Sequence, residues 1–235
     1  MKKIITTLAV LLLTTFSANA FDRSMLGVTA GIAANQSVFG ATAKQTNNSD
    51  TNTRGSIKQE HGVFTDSHKS GFIELNVGQW VSIGYEHTPD SISTPENKTR
   101  ENTALESKVS VDFNDLNTTY LKVNLPFATG MYARAGVVST DLDIKETMGS
   151  GSTYSNVSTD GTVLGLGYNK LLGDSRVALR IEGSYLEFDD VMTSNGVSST
   201  GATVANGGRN QIDGSNLEGL SAKVALTITL GNLNN

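Results

Sequence analysis

Apolar and polar residues alternate on a two-residue period in eight segments of this chain, and that period belongs to strands with two unlike faces. In residues 25–34 the even positions Leu26, Val28, Ala30, Ile32 and Ala34 form one face, and the odd positions carry Gly27, Thr29 and Gly31. Residues 71–77 set Ile73, Leu75 and Val77 against Glu74 and Asn76. Residues 81–88 set Val81, Ile83 and Tyr85 against Ser82, Gly84, Glu86 and Thr88. The same alternation runs through 117–125 (Leu121, Val123 and Leu125 against Tyr120, Lys122 and Asn124) and 131–140 (Ala133, Ala135 and Val137 against Tyr132, Arg134 and Gly136). It continues in 162–172 (Leu164, Leu166 and Tyr168 against Gly165, Gly167 and Asn169) and in 175–188 (Val177, Leu179, Ile181 and Tyr185 against Ala178, Arg180, Glu182 and Ser184). In 218–231, Leu220, Ala222, Val224, Leu226, Ile228 and Leu230 alternate with Ser221, Lys223, Ala225, Thr227 and Thr229.

The connections alternate between short and long. Residues 78–80, 126–130 and 173–174 are tight links, whereas 35–70, 89–116, 141–161 and 189–217 are expected to be long polar loops. Face parity constrains the short links. The first two pairs of strands put odd residues on both apolar faces and need odd links, met by Gly78-Gln79-Trp80 and by Pro126 to Gly130. The third pair is even against odd and needs an even link, for which Gly173-Asp174 is a two-residue hairpin signal.

Before the first strand the chain reads as an address. Lys2 and Lys3 precede an apolar run from Ile4 to Phe16, and Ala18-Asn19-Ala20 has the small-x-small form of a cleavage site. Residues 1–20 are therefore expected to be a signal peptide cut after Ala20, leaving a single domain over 21–235. No later apolar run approaches the ~18 residues a membrane helix requires.

Export, the absence of a later spanning helix and eight alternating strands together predict an all-β fold, an eight-stranded antiparallel transmembrane barrel of the bacterial outer membrane. In lipid every backbone N–H and C=O must pair internally, and a closed barrel does this without an edge. Short turns on one side and long loops on the other follow the usual topology of such barrels. A soluble sandwich or barrel would turn its apolar face inward. That is the alternative fold, in which the face with charges in mid-strand would lie in water.

Those charges are Glu74, Glu86, Lys122, Arg134, Arg180, Glu182 and Lys223, three acids against four bases. Eight strands leave an interior just wide enough for side chains to fill. Buried charges are tolerable when paired. The expected lumen is a salt-bridged plug, with the small inner residues Gly27, Gly31, Gly84, Gly136, Gly165 and Gly167 making room for the long side chains. A narrow pore whose ion pairs exchange partners is the alternative. Trp80, Tyr85, Phe127, Tyr168 and Tyr185 are the candidates for aromatic belts at the membrane interfaces.

The segment Arg180-Ile181-Glu182-Gly183-Ser184-Tyr185 resembles the seventh-strand Arg-x-Glu-x-x-aromatic pattern of the small OmpA/OmpX-like outer-membrane barrels, and Ala222 to Gly231 resembles their final strand. The resemblance spans essentially the whole mature chain. It implies that Arg180 and Glu182 belong to an internal ion-pair network, and that the barrel-assembly machinery inserts the protein. Where such chains often end on an aromatic residue, this one ends Leu230-Gly231-Asn232-Leu233-Asn234-Asn235.

Composition narrows the remaining chemistry. The 235 residues include 24 Gly, 3 Pro and no Cys, with a formal net charge of −5. Thiol chemistry, Cys-ligated metals and a lipidated N-terminal Cys are excluded. An acidic chain with few cations is a poor nucleic-acid partner. The only histidines are His61, His68 and His87. His68-Lys69-Ser70 places a base and a hydroxyl on one face of a strand at its outer rim, which leaves a lipid A hydrolase as a third reading. Asp141, Asp143, Asp189 and Asp190 are expected to be solvated loop acids. Gly165-x-Gly167 lacks the rest of a phosphate loop and sits in a strand. The expectation is a non-catalytic monomeric protein with no cofactor and no metal, whose partners are outer-membrane lipid and lipopolysaccharide.

Overall fold

The structure is a computed structural model and describes residues 26–47, 56–100, 106–147, 153–195 and 211–231. The expected signal peptide with Ala18 and Ala20, and the closing Asn232 to Asn235, lie outside these residues. Eleven strands occur among the described residues: β1 Leu26–Asn47, β2 Ser56–Val77, β3 Val81–Thr88, β4 Ile92–Ser93, β5 Asn97–Arg100, β6 Glu106–Asn124, β7 Met131–Thr147, β8 Val157–Leu171, β9 Val177–Phe188, β10 Val191–Ser194 and β11 Gln211–Gly231. Antiparallel pairing runs β1-β2-β3-β6-β7-β8-β9-β11 and closes where β1 pairs with β11. That is a ring of eight. β4 and β5 pair with β6 and continue the line of β3, and β10 pairs with β11 and continues β9.

The interruption of the third strand has a local cause. Pro89 follows β3 and Pro95 separates β4 from β5. Proline has no N–H for the ladder and is expelled from continuous strands. Two further irregularities are bulges. The β1–β11 register slips between Gly40 and Thr42, and the β6–β7 register slips between Asn114 and Asn117. The bulged strands carry Asn216 and Asp115 at positive φ (51° and 50°), a conformation that Asn and Asp tolerate better than most residues.

The short links fall as parity requires. Val77 pairs with Val81 across Gly78–Trp80, and the Leu125 amide donates to the Met131 carbonyl (2.8 Å) across the five residues 126–130. The third link is longer than the expected Gly173-Asp174 hairpin. The Leu172 amide donates to the Val177 carbonyl (2.9 Å), so the link is 173–176, still even in length, and Ser175 stabilises it by donating its hydroxyl to the Leu172 carbonyl (2.6 Å).

The long connections differ most from expectation. Much of 35–70, 89–116, 141–161 and 189–217 is strand, not loop. β1 and β2 each run 22 residues and β11 runs 21. A membrane needs only ~9–11 residues of tilted strand, so the barrel continues about as far again beyond its apolar band. Polar alternating sequence in this upper half hid the strands, because only one of its faces is buried and that face is partly Ser, Thr and Asn.

Inside-out patterning is plain over the lower half. Ile32, Ile73, Leu164, Ile181, Leu226 and Leu230 are exposed on the outer wall, while Glu74, Lys122, Arg134 and Arg180 are buried within it. The outward apolar run covers Leu26 to Ala34 on β1 and Leu220 to Leu230 on β11. Nine to eleven residues at ~3.3 Å each, tilted ~40°, give an apolar band of roughly 23–28 Å, which brackets the ~25 Å that outer-membrane barrels present to lipid.

Candidate functional site: a lumen filled in two layers

All seven charged residues read from the sequence point into the lumen and all are buried. They form two linked clusters. In the lower one, Glu74 of β2 receives a bidentate pair from Arg180 of β9 (Nη1–Oε1 2.6 Å, Nη2–Oε2 3.0 Å) and a salt bridge from Lys122 of β6. The Tyr120 hydroxyl donates to the same carboxylate (2.9 Å). In the upper cluster, Arg134 of β7 bridges Glu86 (2.7 Å) and Glu182 (2.9 Å). Lys223 of β11 bridges the same two acids at 2.7 and 3.3 Å. Tyr132 and Ser184 also donate to Glu182 (2.7 and 2.8 Å), and Ser70 donates to Glu86 (2.6 Å).

Six strands therefore meet on three carboxylates across the lumen. Charge-assisted bonds of this kind are the strong ones, and the bidentate Arg180 fork also fixes geometry. Rings of the wall complete the packing. The Arg134 guanidinium lies 4.0 Å from the centroid of Tyr120, and Arg180 lies 4.9 Å from that of Phe72.

The inner glycines serve these rings more than the charges. Gly31 sits directly opposite Phe72, Gly84 opposite Tyr120, Gly167 opposite Tyr132 and Gly219 opposite Phe39. A Cβ at any of the four would collide with its partner's ring. The aromatic side chain lies flat over the bare backbone of the neighbouring strand, a pairing also used to rescue glycine in designed sheets. Gly165 is the one that faces a charge, lying against Glu182 and Ser184.

Sequence reading missed the second layer. Above the ion pairs, Phe39, Phe64, Phe113 and Phe188 turn inward with Ile92, Leu116, Leu142 and Leu186 to form an apolar core. Phe39 stacks on Phe64 (centroids 5.3 Å apart) and on Phe113 (6.0 Å), and Phe188 tilts against Phe113 (6.5 Å). Extending the face parity of β1, β2 and β9 upward would have placed Phe39, Phe64 and Phe188 inside. Phe113 escapes that rule because the bulge at Asp115 shifts β6 by one residue. Even positions of β6 face inward below the bulge (Thr118, Tyr120, Lys122), and odd Phe113 does so above it.

Between the layers lies a cavity of about 40 Å³, with Arg134, Lys223, Glu86 and His68 among its polar walls and Phe39 and Leu186 among its apolar ones. His68 and Ser70 are thus lumen residues, not rim residues. Ser70 gives its proton to Glu86 and accepts from Asn35 (3.0 Å). His87 lies elsewhere, bonded to Asn117 (2.8 Å). Asp141 and Asp143 are strand residues, and the Asp143 carboxylate accepts from Asn114 (2.8 Å) and Asn156 (2.9 Å). No group of acids and histidines able to hold a metal occurs among the described residues.

Of the aromatic candidates, Trp80 and Phe127 stand exposed in the short turns and Tyr168 lies just above them. Tyr85 and Tyr185 close the apolar run on β3 and β9 at the other margin. Tyr85 donates to Asn117 (2.7 Å). Apolar rings at both edges of the band, with a polar tip or turn beside them, suit a membrane boundary.

The crystal structure of the outer membrane protein OprG from Pseudomonas aeruginosa superposes with a TM-score of 0.52, covering 86% of this chain and 97% of that one at 10% identity. The fold is that of a small outer-membrane β-barrel. The barrel also matches the outer membrane protease OmpT from Escherichia coli (TM-score 0.49, 10% identity, 91% of this chain and all of that one). A third match is the outer membrane protein AlkL, determined in DMPC bilayers (TM-score 0.48, 11% identity, 94% and 97%). No family model and no curated protein matches the barrel's sequence. At such identities the likeness speaks for the fold alone.

Proposed function

We propose that the protein is a non-catalytic barrel of the bacterial outer membrane, with its lumen closed, that supports the envelope and presents its strand extensions at the cell surface. One observation carries this reading: the lumen is filled twice along its axis, by a buried network of seven ionised side chains and then by a stacked aromatic layer. Both layers pack side chains across the lumen, and the small cavity lies between them.

The turn end then faces the periplasm and the long extensions face outward, with lipopolysaccharide and lipid around the apolar band. The barrel-assembly machinery is the partner for insertion, and the barrel serves as a monomer. A lipid hydrolase finds little support. Ser70 and His68 are enclosed by the wall, where acyl chains do not reach, and the Ser70 hydroxyl bonds Glu86 in place of a base on its own strand.

Planar-bilayer recording of the pure protein tests the closed lumen. Expected is an intact, lipid-inserted barrel that gives no steady openings. Regular openings of fixed size would replace this reading with a narrow diffusion channel.

A further inference from the structure

We propose that the cavity between the two layers is a binding site for one monovalent anion of halide size. Three observations meet there. The first is charge. The seven-residue network as a whole carries one positive charge in excess, four bases against three acids, and of its members Arg134, Lys223 and Glu86 line the cavity. Asp66, another carboxylate near His68, is half-exposed and outside the network. An unbalanced charge in a low-dielectric interior is costly, and a counter-ion relieves it.

The second is hydrogen bonding. Arg134 and Lys223 both line the cavity. Arg134 Nε is buried without an acceptor, and so is Nδ1 of His68 on the facing wall. Lys223 commits two bonds, to Glu86 and Glu182, and an ammonium has three protons to give. A buried donor left unsatisfied costs about 1–3 kcal/mol. In the tautomer with its proton on Nδ1, His68 adds a neutral donor to the two cationic ones.

The third is size. About 10–15 Å³ of such space accommodates one water. The 40 Å³ here then holds roughly three waters or one halide ion, and is too small for a sugar acid or a phosphate ester. Apolar Phe39 and Leu186 on the upper side suit a large, weakly hydrated ion better than a small, tightly hydrated one.

Unfolding in detergent micelles at fixed ionic strength tests this, with chloride exchanged for gluconate, which is too large to enter. A ligand that binds only the folded state raises the folding constant by about tenfold for each tenfold rise in concentration above saturation. Expected is that dependence on chloride in the native sequence and its loss in Thr118→Leu, which fills the cavity without removing a charge. Crystals grown in bromide should show an anomalous peak between Arg134, Lys223 and His68. Equal stability in chloride and gluconate would overturn the proposal. So would an equal chloride effect in Thr118→Leu, which places the ion elsewhere, or a cavity in bromide crystals that holds water only.

Discussion

Glu74 is the side chain on which the lower lumen converges. It is fully buried and takes Arg180, Lys122 and Tyr120 at once. Removing its charge leaves two buried cations without a counter-charge, and breaking a buried pair in this way costs about 3–5 kcal/mol. Glu74→Gln is therefore expected to lower stability by that amount in urea titrations of the lipid-inserted barrel. Replacing Glu74, Lys122 and Arg180 together with apolar residues of similar volume should recover much of the loss. The glycine–aromatic pairs make a second test. In Gly84→Ala the new methyl meets the Tyr120 ring, and overpacking of this kind costs about 1–3 kcal/mol. Tyr120→Leu in the same chain should relieve the clash, so the double variant is expected to be more stable than the sum of the single effects, as contacting residues are when they couple.

The strands show which parts of this were readable beforehand. Where a strand has lipid on one side and charge on the other, as β2 does from Gly71 to Val77, alternation announces it. Where it rises into water with Ser, Thr and Asn on its buried face, as β1 does beyond Asn35, the contrast fades and the sequence looks like loop. Prolines and bulges obscure it further: Pro89 and Pro95 split the third strand, and the turn of backbone at Asp115 moves Phe113 onto the opposite parity from Lys122. These upper elements are held partly by polar contacts. Asp112, above the β6 bulge, is pushed up by burial but more strongly down by hydrogen bonds from Lys145 and Ser93, leaving its carboxyl below the ordinary value. A carboxylate held low in the folded state stabilises the fold above its unfolded value of about 4, and that contribution is lost as pH falls through the folded value. Lys145 is 65% exposed, so water screens the pair and the effect is modest. Proteolysis of the β6–β7 extension is expected to be faster in Asp112→Asn than in the native protein at pH 6, and equal in the two once the pH is low enough to protonate Asp112. A difference that persists at low pH would assign the effect to packing.

For the molecule as a whole, one arrangement connects the patterns. The lower barrel is turned inside out relative to a soluble protein, with apolar residues on its outer wall and ion pairs at its centre. The upper barrel returns to ordinary burial, with aromatic residues inside and polar ones out. The membrane boundary is the level at which the sense of burial reverses, near Gln36 on β1 and Glu218 on β11. The chain has no cysteine, so single cysteines can be placed along β11 without background. Expected is that labels at Ala222, Val224, Leu226 and Ile228 are reached by a quencher dissolved in the acyl chains, whereas those at Ala225 and Thr227 are shielded from it. Quenching that falls on Ala225 and Thr227 instead, or that does not alternate, would contradict the account.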